Sequence, residues 1–315
     1  MGVAPLFPFK EPVPLTPAEI AATLEPSTLE VSGAAAIALE DFRAEFSADD
    51  AVFAPTFARA EAAASAALAG LVTDARETGL ARLGLAASAD ARAAASVLSA
   101  TLLGPSLDVL AVHEAIDPGG ETPAAVPGVV HSMLVPVALG HAHFVASRPF
   151  FLGNARTARA LLSAQLSGPV VPFPVSGGLL TDDAGYRAAI GAYSDGDANP
   201  IVLVLARAVE AAIENTRDLA TALAITRDEW AHAMVGVRSH ASSRELVGVV
   251  LENPVIDAKL TVPALGVTLA AAYTSIETLV ERGILVSRGP ERRNRAWFAP
   301  GILDAVDAFV ERARG

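Results

Sequence analysis

The sequence predicts an all-α body followed by a small C-terminal unit in which three helices precede a two-stranded hairpin. Three observations lead there. From Ala22 to about Ala111, Ala-rich segments such as Phe57–Leu71 and Ser88–Leu103 carry apolar residues at helical spacing. Few stretches alternate as strands do. After about residue 240 the elements shorten, and turn residues punctuate them at close intervals.

Taken in order, residues 1–15 are rich in Pro and Phe and read as an extended arm. Thr16, with Pro17 and Glu19 behind it, signals a helix start. Pro and Gly residues cluster at Asp117–Gly128 and again at Gly168–Gly178, and both stretches read as breaks. Helices are expected between and after them, at about Val129–Ala146, Asn154–Ser167, Ala184–Tyr193, and from Ile201 through about Arg238. In the C-terminal unit, Ser243–Glu252 is expected as a helix ended by Asn253-Pro254. A short helix near Val262–Leu265, a turn at Gly266 and a helix from Thr268 to Arg282 follow. Ile284–Ser287 and Arg295–Phe298 form the expected hairpin, and a last helix runs from about Gly301 to Arg314. Three helices and a two-stranded wing is the order of a winged helix-turn-helix. The expected division is therefore an N-terminal arm with helices (1–45), a helical domain (46–240) and a winged helix domain (241–315).

Composition excludes several classes. The 315 residues include no cysteine, so disulfide scaffolds, thiolate metal sites and cysteine nucleophiles are ruled out. Acids outnumber bases 35 to 23, a net charge of −12 that disfavours nucleic-acid binding through bulk charge. Lysine occurs only at Lys10 and Lys259. With 52% hydrophobic residues the chain is not disordered in character. The longest uncharged stretch, Thr122–Ser147, could span a bilayer by length. It carries Pro123, Pro127 and Pro136 with His131, His141 and His143, all costly in hydrocarbon. A buried helix, no membrane partner and a cytoplasmic location are the expectations.

The most chemically informative stretch is Arg148-Pro149-Phe150-Phe151-Leu152-Gly153-Asn154-Ala155-Arg156-Thr157-Ala158-Arg159. Asn154 reads as an N-cap, and Ala158, Leu161, Leu162 and Leu166 form one apolar face. Arg156 and Arg159 then fall in or near the first turn, where the helix dipole disfavours cations. A phosphate held by the Gly153, Asn154, Ala155 and Arg156 N–H groups and by both arginines would compensate. Pairing with protein carboxylates would compensate equally well, and the residues alone leave both readings open.

This stretch resembles the Fic family motif, H-P-F-x-[D/E]-G-N-[G/K]-R-x-x-R, at Pro149, Phe150, Gly153, Asn154, Arg156 and Arg159. His141 and Phe144 resemble the family's lead-in, Pro174-Val175-Ser176 and Tyr186 its following segment, and Arg59-Ala60-Glu61-Ala62 its N-terminal region. Asn253-Pro254-Val255, Leu265-Gly266-Val267, Arg282-Gly283-Ile284-Leu285 and Arg295-Ala296-Trp297 resemble the winged helix often appended. The resemblance implies a Fic-like helical domain, a class that transfers AMP or related groups from nucleotides to protein hydroxyls.

The departures bear on activity. Where the family has its general-base histidine, this chain has Arg148, a cation without an acceptor lone pair. Where the family has its Mg²⁺-binding carboxylate, Leu152 offers no oxygen. The family's inhibitory glutamate, which pairs with the second motif arginine, corresponds to Ala69. Between His113 and Pro127 there is no room for the flap that aligns the target chain. The implied protein is a degenerate relative, a pseudoenzyme with no catalytic residue and no metal site. It would hold ATP or another nucleotide, without Mg²⁺, at Gly153, Asn154, Ala155, Arg156 and Arg159, and serve as a regulatory or binding protein with a protein partner. Two alternatives remain: an active AMP-transferase with a rewired site, and a transcriptional regulator. For the latter, Arg288, Arg292, Arg293 and Arg295 make the wing basic. The helix expected to enter the major groove exposes Thr268, Tyr273, Thr274 and Glu277, none basic. Residues 241–315 carry nine basic and nine acidic residues, so DNA is not the favoured partner.

Overall fold

A computed structural model describes residues 23–104, 108–120, 134–238, 241–289 and 295–315. The expected N-terminal arm, the helix start at Thr16, the 121–133 part of the apolar stretch, and Arg292 and Arg293 lie outside these residues. The described chain is mainly α-helical. In order it comprises α1 (Pro26–Ala44), a 3₁₀ turn (Ala48–Phe53), α2 (Ala54–Leu68), α3 (Ala75–Arg82), α4 (Ala89–Thr101), α5 (Val109–Ile116) and α6 (Leu134–Ser147). Then come α7 (Asn154–Leu166), α8 (Val175–Leu180), α9 (Asp183–Ser194) and α10 (Asn199–Ala233).

The helix ends follow local chemistry. Ser88 accepts from the Ala91 N–H at the start of α4, Asp108 accepts from Leu110 and Ala111 at the start of α5, and Asp182 accepts from Gly185 at the start of α9. The 35-residue α10, about 50 Å long, is the spine and reaches both large hydrophobic clusters. Its first half (Ile201, Val202, Leu205, Val209) packs chiefly with α1, α6, α8 and α9, in a hydrophobic cluster that also takes in residues of α5 and α7. Its second half (Leu219, Leu223, Trp230) packs with Phe57, Ala60 and Ala64 of α2 and with the C-terminal elements. No described helix is long and apolar enough to cross a membrane by itself.

One expected break is a helix. The Gly168–Gly178 stretch ends in α8, whose Gly177 and Gly178 permit close packing rather than turning the chain. A Cβ on Gly178 would lie 1.8 Å from the Ala208 carbonyl oxygen of α10, and one on Gly177 would lie 2.4 Å from the Phe309 ring. Gly178→Ala should therefore cost about 1–3 kcal/mol of unfolding free energy. Urea unfolding checks this against Gly191→Ala in α9, where nothing lies within 4 Å and the change should be neutral or slightly stabilising.

The C-terminal elements are α11 (Ser242–Glu252), β1 (Val255–Ile256), α12 (Ala258–Leu265), α13 (Leu269–Glu281), β2 (Val286–Ser287), β3 (Trp297–Phe298) and α14 (Pro300–Arg314). The expected hairpin is present as β2 against β3, with Val286 opposite Phe298. The sequence reading lacked β1, which pairs antiparallel with the other edge of β3, Val255 opposite Phe298. Two residues are too few for a period-2 pattern to show. β3 is thus central, and its Trp297 and Phe298 are buried. Tyr273, expected on the exposed side of α13, is half-buried and meets Trp297 edge-on at 5.9 Å between ring centroids. Thr268, Thr274 and Glu277 are exposed as expected.

Candidate functional site

The loop between α6 and α7 is built by its own side chains. Arg148 ends α6 with φ = +47°, the one non-glycine residue with positive φ among the described residues, and its N–H reaches back to the Phe144 carbonyl. An L-residue pays about 1 kcal/mol or more for that conformation. Asn154 corrects the sequence reading: it is the first residue of α7, and the N-cap position is Gly153, with φ = +76°. The Asn154 side chain instead clasps the loop, accepting from the Phe150 N–H at 2.8 Å and donating to the Phe150 carbonyl at 2.6 Å. An amide has both a donor and an acceptor, so it can replace two backbone partners at once.

The consequence is an uncapped helix start. Among the described residues no side chain accepts from the first N–H groups of α7, so those of Asn154, Ala155 and Arg156 lack a described side-chain partner. At the other end of α7, Arg43 donates from Nε to the Leu166 carbonyl at 3.1 Å and from Nη2 to the Gln165 carbonyl at 3.4 Å.

These groups open on a cavity of about 620 Å³. Gly153, Asn154, Ala155, Arg156 and Arg159 line it together with Arg148, Leu152 and Ala69, so residues far apart in sequence share one wall. Leu152 is 55% exposed and Phe151 89% exposed, forming an apolar rim. Asp183 and Arg187 complete the lining and hold each other, Nε to Oδ1 at 2.8 Å and Nη2 to Oδ2 at 2.7 Å. Among the described lining residues, four guanidinium groups therefore face one carboxylate, which already has a partner.

The two motif arginines behave differently. Arg159 is 2% exposed, and donates to the Ser65 hydroxyl and the Ser65 carbonyl, both at 2.8 Å. Arg156 is half-buried and makes no hydrogen bond or ion pair to another described residue. Burial lowers its pKa, the Arg159 charge adds to that, and the Asp117 carboxylate partly opposes it. Neither arginine pairs with a described carboxylate.

Beneath the cavity lies a buried polar network. Glu61 on α2 accepts from the backbone N–H of Ser176 at 2.8 Å and from its hydroxyl. Burial pushes the Glu61 carboxyl up to about 7, partly opposed by the Ser176 bonds and the Arg159 charge. His141 lies 2.8 Å from the Tyr186 hydroxyl and 3.3 Å from the Ala158 carbonyl. The carbonyl can only accept, so Nδ1 carries the proton and Nε2 accepts from Tyr186. Burial and the Arg159 charge hold His141 down to about 3. It is a neutral core residue and does not line the cavity. His143 does not line it either.

These shifts oppose each other in stability. Glu61 has its ordinary value of 4.5 when unfolded and about 7 when folded. Its contribution is complete below about 4.5 and is lost as pH rises through about 7. His141, 6.5 unfolded and about 3 folded, contributes fully above about 6.5 and loses it as pH falls through about 3. Glu61→Gln removes only the first arm. The wild type should gain on this variant as pH falls from about 7 to 4.5, by on the order of 1–3 kcal/mol. Denaturant unfolding at several pH values measures the difference.

The sequence reading missed His113. Its ring stacks on Phe150, 3.4 Å between centroids and 6° between planes, and its Nδ1 shares a 3.0 Å hydrogen bond with the Thr157 hydroxyl. Burial lowers its pKa. A single His in a short helix carries no sequence signal for this role of bracing the loop from behind. On the C-terminal unit, Arg288 is exposed, whereas Arg295 lies over the Trp297 ring at 5.0 Å. Among the described residues no three His, Asp or Glu side chains are arranged to hold a metal.

No family model and no curated protein matches the chain. Among solved structures, a Fic family protein from Desulfovibrio desulfuricans G20 aligns with a TM-score of 0.43 at 14% identity, over 92% of this chain and 98% of that one.

Proposed function

We propose that the chain is a Fic-like protein that binds a phosphate-bearing ligand, a nucleotide such as ATP, at the start of α7 without transferring any part of it. The observation that carries this reading is Arg156, a half-buried guanidinium with no described partner beside three uncapped N–H groups. Cation and dipole both favour an anion there. Arg148 extends the same wall as a further phosphate ligand. It cannot accept a proton from a target hydroxyl. Leu152 supplies no oxygen to a metal, so binding needs no Mg²⁺. Ala69, on the same wall, adds no carboxylate to compete with a ligand, and Asp183 is engaged by Arg187. A regulatory role through a protein partner fits a site that holds a ligand and does no chemistry on it.

Isothermal calorimetry with ATP, with and without Mg²⁺, tests the proposal. Saturable heat of similar affinity in both conditions is expected. No heat at millimolar ATP rejects it. Transfer of label from ATP to lysate proteins would instead support an active, rewired transferase. The DNA-binding reading has less behind it, because the exposed residues of α13 named above include no base and Arg295 is engaged by Trp297.

A further inference from the structure

A second cationic pocket lies where α3 meets the C-terminal elements. Arg59, in the middle of α2, is 9% exposed. Its one hydrogen bond to a described residue runs from Nη1 to the Pro55 carbonyl, a turn back on the same helix, at 2.9 Å. A guanidinium has five N–H donors. No described carboxylate lies within ion-pair distance of it. Burial lowers its pKa to about 9; Arg82 adds to the fall and Glu252 partly opposes it.

Arg59 lines a pocket of about 90 Å³ together with Arg82, which is exposed at its edge. Thr78 and Asn253 also line it. The remaining walls are largely apolar, among them Ala63, Leu98, Val255 and Val306. They come from α2, α4, β1 and α14, so body and C-terminal elements share the pocket. Among the described residues no acidic side chain lines it. Burying a cation without an opposite charge is costly, and the fork of donors on Arg59 matches the two oxygens of a carboxylate.

We propose that this pocket is a binding site for a small aliphatic carboxylate, of acetate to butyrate size, with its oxygens on Arg59 and Arg82 and its alkyl tail against the apolar wall. At about 90 Å³ the pocket is small beside the 620 Å³ cavity at α7 and suits a short aliphatic acid better than a nucleotide. A phosphate would leave oxygens facing Leu98 and Val255, unsatisfied. Because α2, β1 and α14 all contribute, occupancy would fasten the C-terminal elements to the body.

The test titrates the full chain with sodium butyrate, butyramide and inorganic phosphate, followed by NMR shifts and thermal unfolding at constant ionic strength. Saturable shifts and a rise in Tm with butyrate alone are expected. Arg82→Ala should weaken binding roughly two- to fivefold, as for an exposed charge. Arg59→Met, checked for its fold by circular dichroism, should weaken it by about thirtyfold or more. Arg156→Ala should leave it unchanged, separating this site from the cavity at α7. Equal responses to butyramide, tighter binding of phosphate, no saturation with butyrate, or unaltered binding in both Arg59→Met and Arg82→Ala would each overturn the proposal. If Arg59→Met does not fold, the Arg82→Ala titration decides.

Discussion

Replacing Arg159 by Met should destabilise the protein by about 3 kcal/mol or more, the order expected when a charged, hydrogen-bonded group is removed from the interior. Arg159 is 2% exposed, and joins α7 to α2 through both the hydroxyl and the carbonyl of Ser65. The carbonyl keeps a second partner in the Ala69 N–H, but the hydroxyl loses its donor. The loss reaches further, because the Arg159 charge favours the ionised form of Glu61 and disfavours the charged form of His141. Without it the Glu61 carboxyl should hold its proton to higher pH, and His141 should charge more readily in acid. Thermal unfolding at two pH values measures both effects. An unchanged Tm would show that the network does not hold α7 to α2. This role makes Arg159 a poor probe of ligand binding, because its loss changes the scaffold as well as the cavity wall.

Arg156→Ala should do the reverse: abolish or weaken ATP binding by about ten- to a hundredfold while leaving stability unchanged or slightly improved. The binding loss follows from one or two charge-assisted hydrogen bonds at about 1.5–3 kcal/mol each. The stability expectation follows from the side chain's surroundings. It makes no hydrogen bond or ion pair to a described residue, burial and Arg159 lower its pKa with only partial opposition from the Asp117 charge, and it sits at the positive end of a helix dipole. A fold that pays for a cation there, and takes no bond from it, gains by losing it. Calorimetry and urea unfolding on one preparation test both halves. A large drop in stability with full retention of ATP binding would reverse the roles assigned to Arg156 and Arg159.

The two arginines show where sequence reasoning reaches its limit. Both fall in the first turns of α7, and the sequence treats them alike because spacing reports only which face of a helix a residue shares. Whether each meets a carboxylate, a hydroxyl or an open cavity depends on residues from other helices, 94 positions away in the case of Ser65. Ser65 on α2 and Tyr186 on α9 hydrogen-bond Arg159, whereas no described residue hydrogen-bonds Arg156, which feels the Asp117 carboxylate only as a nearby charge. Asn154 is a similar case. Its residue type marks a helix start, but its side chain closes the preceding loop and leaves the helix uncapped.

What the sequence determined by itself was the helical character of the body, the order of helices and hairpin in the C-terminal unit, the absence of thiol chemistry, and the presence of an arginine at 148 and an apolar leucine at 152 just before α7. These are properties of residue type and local period, and the local chain carries them. The tertiary structure alone decided that Gly177 and Gly178 permit contact within a helix rather than a turn, that β1 completes the sheet, and that His113 braces the loop. It also decided that the negative charge of the whole chain gives way to a cluster of arginines around one cavity. Net charge is a sum over residues, whereas the field inside a cavity depends on which few of them the fold brings to its wall.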